Sequence, residues 1–182
     1  YSNIKAHLDN LVDFITSSNK PYGIHRARSL KYFTEPKIIF KGMFKSPDFT
    51  YDEDNYFFGF SFSSIIKKNN NSSLKYLLAI LNSKLANKWF YTFGKLRGVG
   101  VDIGVEKLRT FPVAKTEYES VFDKVVDNVL AVNKFSSDLA INEHVPNSHI
   151  SETFEEVIDA MVFELYFPEE FKKSGIHFIQ YA

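Results

Sequence analysis

The stretch richest in both backbone freedom and positive charge is FGKLRGVGVDIGVEKL, residues 93–108, where Gly94, Gly98, Gly100 and Gly104 sit among Lys95, Arg97 and Lys107. Glycine lets a backbone turn sharply or approach a ligand closely, and Lys and Arg form charge-assisted hydrogen bonds with phosphate. Such a stretch could cradle a nucleotide or touch a nucleic acid. The first reading fails on spacing. Gly98-Val99-Gly100 followed by Gly104 is one residue too long for the dinucleotide fingerprint, it follows a helical pattern where that fingerprint needs a strand, and no phosphate-loop motif G-x-x-x-x-G-K-[ST] occurs.

Other candidate chemistry is thinner. Ser46-Pro47-Asp48-Phe49 resembles the Asn/Asp-Pro-Pro-aromatic turn of amino-methyltransferases only at its second and fourth positions. Pro47-Asp48 could instead open a nuclease signature, in which carboxylates hold Mg²⁺ and a lysine aids the attacking water. Its available partners are Glu35-Pro36-Lys37, which precedes it, and Glu170-Phe171-Lys172, which lies far along the chain. A turn in a sheet is the simpler reading. His7, His25, His144, His149 and His177 lack the spacing that aims two rings at one metal, and the cluster Asp52-Glu53-Asp54 does not continue as a calcium loop.

Cysteine is absent, which excludes disulfides, zinc–thiolate sites and cysteine nucleophiles and fits a cytoplasmic setting. No apolar run of 18 residues occurs, so no membrane span is expected. The chain starts at Tyr1 rather than Met, so the expectation is a portion of a longer protein. The formal net charge of zero hides a segregation: residues 20–115 hold 17 Lys and Arg against 7 Asp and Glu, a balance of +10, whereas residues 116–182 hold 4 against 13, a balance of −9. A basic body with an acidic tail points to a polyanionic partner, or to a tail that neutralises the body.

The elements that must position these residues follow from periodicity. Ile4, Leu8, Leu11, Val12 and Ile15 are at helical spacing. From Tyr22 to Ser64 short apolar runs alternate with turn residues; KIIFKGMF and NYFFGFSF read as strands, with Phe58, Phe60 and Phe62 on one face. Ser73 is an N-cap for a long helix over 74–93 with a possible interruption at Asn82-Ser83. LRTFPV, residues 108–113, reads as an edge strand or extended segment. Thr116 and Glu119 form a capping box for a helix, and a further helix spans about 152–166. The fold class expected is α+β, a small, largely antiparallel, aromatic-rich sheet with a long packed helix followed by a helical C-terminal segment. Its divisions are an N-terminal helix and linker at 1–19, a recognition domain at 20–115 and an acidic helical segment at 116–182.

Several pieces occur in the order expected of a known family: YGIHRARSLKYFTEPKIIFKG, YDEDNYFFGFSFSSII, LKYLLAILNSKLANKWF, GKLRGVGVDIGVEKLRTFPV and IDAMVFELYFPEEF. Together they resemble the TaqI-like C-terminal specificity domain of type II restriction-modification enzymes and adenine-specific DNA methyltransferases, over about residues 22–113 and 158–171. The resemblance implies a domain that grips duplex DNA largely from the major groove, opposite a methyltransferase or endonuclease domain of the same parent chain. Its base-reading element falls on Lys95, Leu96, Arg97, Val99 and Asp102. The basic positions around the first strand fall on Arg26, Arg28, Lys37 and Lys41. Lys45, Lys107 and Arg109 join these as candidates from the basic, aromatic-rich body. No catalytic residue and no cofactor is expected in this chain; S-adenosylmethionine, and Mg²⁺ if the parent cleaves, would belong to the parent. The rival readings are a self-contained Mg²⁺-dependent nuclease using Asp48 and a helical protein-interaction module.

Overall fold

The computed structural model describes residues 1–15, 28–68, 72–134 and 145–182. The expected first helix is two, α1 (Ser2–Asp9) and α2 (Val12–Ile15), with a Lys5–Asp9 ion pair of 2.6 Å one helical turn apart. After α3 (Lys31–Thr34) come four strands, β1 (Lys37–Lys41), β2 (Met43–Phe44), β3 (Phe49–Asp52) and β4 (Phe62–Ile66). Next are α4 (Leu74–Asn82), α5 (Lys84–Phe93), the strands β5 (Lys95–Arg97) and β6 (Gly100–Asp102), and α6 (Gly104–Leu108). Three helices close the chain, α7 (Glu119–Lys134), α8 (Asn147–Tyr166) and α9 (Pro168–Ser174). The class is α+β, and both of its sheets are small and antiparallel, in the orders β3-β1-β4 and β2-β6-β5.

KIIFKGMF is divided between the two sheets. The chain leaves the first at Lys41 and enters the second at Met43, and between them the Gly42 carbonyl accepts the Ile103 amide at 2.9 Å, which ties the sheets together. NYFFGFSF is not a strand until its last residue. The Asp52 carboxylate accepts the amides of Asp54 (3.0 Å) and Tyr56 (3.1 Å), and Asn55 takes a positive φ of 62°. That turn breaks the extended run, so the expected shared face of Phe58, Phe60 and Phe62 does not exist: Phe60 is 93% exposed in a loop, while Phe62 opens β4.

The long helix over 74–93 does break at Ser83, which is extended (φ −67°, ψ 156°). Its hydroxyl caps α5 by accepting the Ala86 amide at 3.1 Å and donates to the Ile80 carbonyl at 2.7 Å. The break frees Asn82 for another task. Its amide nitrogen donates to the Phe49 carbonyl (2.8 Å) and its oxygen accepts the Phe49 amide (3.0 Å), so one side chain stands in for a strand on the outer edge of β3. Edge backbone groups left without partners are costly when shielded from water and sticky when exposed.

α4 is the central element. Ile38, Phe40 and Phe49 from the sheet, Leu78 and Leu81 from α4, Phe122 and Val126 from α7, and Met161 and Val162 from α8 join one buried cluster. Each such side chain contributes roughly 1.5–3 kcal/mol when fully buried. The acidic helices are charge-matched to the helices they cover: Lys75 reaches Asp127 at 2.5 Å and Lys84 reaches Asp159 at 3.0 Å. The expected capping box at Thr116 is not closed. Thr116 accepts the Tyr118 amide at 3.1 Å, but Glu119 reaches across to the Ser73 amide at 2.8 Å, beside a Ser73 hydroxyl that donates to Asp123 at 2.7 Å. The start of α7 is thereby latched onto the start of α4.

LRTFPV enters no sheet. Leu108 ends α6 and Phe111 is buried beside Trp89 and Phe90, with ring centroids 5.0 and 5.5 Å away. Tyrosines satisfy the backbone that follows. Tyr166 donates to the Pro112 carbonyl at 2.6 Å and accepts the Ala114 amide at 3.3 Å, and Tyr76 donates to the Ala114 carbonyl at 2.7 Å. Burial pushes both phenols above their ordinary range, with the neighbouring Tyr166 adding to the effect on Tyr76. Among the described residues no helix is long and apolar enough to cross a membrane.

Candidate nucleic-acid interface

Residues 95–102 of the glycine-rich stretch form a β-hairpin, and residues 104–108 belong to α6. Arg97 pairs with Gly100, Leu96 with Val101 and Lys95 with Asp102, which leaves Gly98-Val99 as a two-residue turn. Gly98 has φ +55°, the positive value that a II′-type turn asks of its first central residue. Gly100 is required for a different reason: a Cβ there would lie 2.6 Å from the Phe44 carbonyl oxygen. The signal was present in the sequence as a Gly-x pair between KLR and GVD. β2 adds the third strand, with Met43 opposite Asp102 and Phe44 opposite Val101.

This register sorts the side chains, because residues directly opposite one another share a face. Phe44, Leu96 and Val101 form one face, and Val101 is fully buried against the core. Met43, Lys95, Arg97 and Asp102 form the other. Met43, which the sequence did not single out, thus belongs with the candidates. On this outer face Arg97 Nε lies 2.9 Å from Asp102 Oδ2, with the two side chains 52% and 35% exposed.

A second group lies two residues back along the chain from Met43. The exposed Lys41 sets its ammonium 5.5 Å from the Phe62 ring centre, and Arg28 sets its guanidinium 5.7 Å from that of Phe58 while its Nη1 donates to the Phe62 carbonyl at 3.2 Å. Phe57 stacks on Phe33 with centroids 4.8 Å apart yet remains exposed, as do Tyr56 and Phe60. These cation–ring contacts hold positive charge at the surface beside exposed rings.

Lys37 must be withdrawn from the candidates. Its side chain is 0% exposed, its ammonium meets the buried carboxylate of Asp52 and also donates to the Phe33 carbonyl at 2.7 Å, so no phosphate can reach it. The reason is its place along the strand, not its face: Lys37 shares a face with Ile39 and the exposed Lys41, but it lies at the closed end of β1, between Asp52 on β3 and Ile66 on β4. Lys45 is exposed just beyond β2, where its carbonyl accepts the Tyr91 hydroxyl at 2.6 Å. Lys107 is exposed on α6. Arg109 pairs with Glu106 at 2.9 Å and borders a different feature, a groove of about 820 Å³ with Lys31, Lys67 and Lys68 on its rim and Leu77, Leu81 and Phe111 at its base. Arg26 lies outside the described residues. Asp48 is exposed, and among the described residues no group of three or more His, Asp or Glu side chains could hold a metal ion.

The site is thus a basic hairpin turned outward from two small antiparallel sheets on a helical core. A family model for the TaqI-like C-terminal specificity domain matches residues 3–113, more than half of the chain, and the chain belongs to that family. The match runs from α1 to the tyrosine-strapped Pro112-Val113 and contains both basic groups; α7, α8 and α9, including the segment 158–171, lie beyond it. No curated protein matches the chain.

Proposed function

We propose that this chain reads duplex DNA for a restriction-modification protein of type II, holding the target against an adenine-N6 methyltransferase or endonuclease domain elsewhere in the parent. The observation that supports it best is the outer face of the β2-β6-β5 ribbon, which offers Lys95, Arg97, Asp102 and Met43 together with Lys41 at its margin. The β5-β6 hairpin within it is a two-stranded ribbon, of a size that the major groove admits, and that groove presents a distinct donor and acceptor pattern for each base pair. Lys and Arg around such an element neutralise phosphates and release counterions, which fixes register without reading sequence. In this reading the chain has no turnover of its own, and S-adenosylmethionine and any Mg²⁺ are handled by the catalytic domain.

The experiment is a duplex-DNA shift assay over a range of salt, with and without Mg²⁺, and with labelled S-adenosylmethionine. The expected result is binding whose log affinity falls linearly with log salt, with neither cleavage nor methyl transfer. Cleavage that depends on Mg²⁺ and is lost in Asp48→Asn would establish the nuclease reading instead. Salt-independent or undetectable binding would leave the protein-interaction reading.

A further inference from the structure

Within the DNA-recognition reading, on which this inference rests, we propose that Asp102 is a positioning residue for Arg97 and that the pair makes the hairpin select guanine at one base pair. The geometry points to a division of labour between a rigid and a mobile partner. Asp102 sits on β6, the middle strand of its sheet, between Val101 (0% exposed) and Ile103 (2%), and the Ile103 amide is bonded to the Gly42 carbonyl. Its backbone is pinned on every side. Arg97 ends the edge strand β5 immediately before the turn at Gly98. An arginine placed there has many rotamers available unless something holds it.

Asp102 holds it by the inner nitrogen. The 2.9 Å contact uses Nε of Arg97 and Oδ2 of Asp102, which leaves the two terminal nitrogens as a donor pair. Guanine offers two adjacent acceptors, N7 and O6, on its major-groove edge, so it can receive both. Adenine would set its N6 donor against an arginine donor, cytosine presents a donor, and thymine has a single acceptor. The carboxylate also settles the competition with phosphate. A free arginine on an exposed strand binds a phosphate as readily as a base, but a phosphate at this fork would stand close to the Asp102 anion, whereas the neutral guanine edge would not suffer that repulsion. Asp102 therefore biases Arg97 away from the backbone and toward the base.

Two effects of opposite sign follow for Asp102→Asn, and a structural role alone would not produce both. Duplexes selected from a random pool by the wild-type chain supply the probe. Against single-base variants of that site, Asp102→Asn should lose about tenfold or more of the guanine preference at one position. Toward unrelated duplex it should bind more tightly, with the log–log salt slope steeper by about one, because the released arginine takes a phosphate. Replacing that guanine by 7-deazaguanine, which removes the N7 acceptor, should weaken the wild-type chain several-fold and leave Arg97→Ala indifferent. Circular dichroism of each variant checks folding.

If Asp102→Asn keeps the preference, or weakens specific and unrelated duplex alike, the positioning role is overturned. If Arg97→Ala keeps the full preference while salt-dependent binding persists, the hairpin does not read guanine and this inference alone falls. If the wild-type chain retains no duplex even at low salt, the DNA reading falls with it.

Discussion

Lys37 and Asp52 are register partners across β1 and β3, both closed to solvent, with the ammonium set directly against the carboxylate. Every polar atom of the pair has further work: Lys37 donates to the Phe33 carbonyl, and Asp52 accepts two amides of the turn that follows it. The pair thus fastens the end of the first sheet to α3 on one side and to the aromatic loop on the other. Buried pairs of this kind add little net stability relative to an apolar pair, but removing one partner strands a charge.

Asp52→Ala should therefore cost about 3–5 kcal/mol, a large part of the stability of a domain this size. It should also release the turn that sets Tyr56 and Phe57. The double change Lys37→Met with Asp52→Leu should recover most of the urea midpoint and, in DNA binding, show the wild-type salt slope. A lowered slope in the folded double variant would mean that Lys37 does touch phosphate.

Lys37 also shows where the sequence was silent. A lysine on a strand gives no local sign of whether its end is open; that depends on Asp52, 15 positions away, and on the closing of three strands around it. The helices α4, α5, α7 and α8, the break at Asn82-Ser83 and the strand character of KIIFKGMF were legible because periodicity and the Ser73 cap are local. NYFFGFSF misled because Phe58, Phe60 and Phe62 recur with the period of a strand, and a side-chain-capped turn at Asp52 outcompeted it. The hairpin was half legible: its cations and glycines were plain, whereas the shared face of Arg97, Asp102 and Met43 needed the register.

The two glycines of the hairpin should respond differently to alanine. At Gly98 a Cβ meets nothing within 4 Å, so Gly98→Ala carries only the strain of a positive φ, about 1–2 kcal/mol. At Gly100 the added carbon would stand 2.6 Å from the Phe44 carbonyl oxygen, which belongs to the backbone of β2. Gly100→Ala should push β2 off the ribbon and speed amide exchange at Val101 and Asp102, with Gly98→Ala leaving those amides protected. Equal protection in the two variants would show that the ribbon yields more easily than its packing implies.

Glu155 on α8 is held above the usual carboxylate range, first by desolvation and then by Asp159 and Glu152, against a smaller opposing pull from Lys84. A carboxyl whose folded-state value is raised favours the fold while protonated, so its contribution is complete below about pH 4 and is lost as pH rises through the folded value. Glu155→Gln keeps the neutral form at all pH. It should match the wild type in urea midpoint near pH 3.5 and exceed it at pH 7. A difference that does not change between those two pH values would remove the charge explanation.

The cations of the basic body divide by what they already hold, and salt dependence should report the division. Lys75 and Lys84 are engaged by Asp127 and Asp159 of the acidic helices. Substituting either should change stability without altering the slope of log affinity against log salt. Lys41 lies over the Phe62 ring at the margin of the ribbon, and Lys45 is exposed just beyond β2, next to the same face. If these reach phosphates, Lys41→Ala and Lys45→Ala should each lower the slope by about one unit and weaken all duplexes equally, because a phosphate contact carries no sequence information. Measuring the slopes for the four variants on one selected and one unrelated duplex makes the comparison internal. Equal slopes across all four would place the DNA elsewhere on the body and take the ribbon out of the interface.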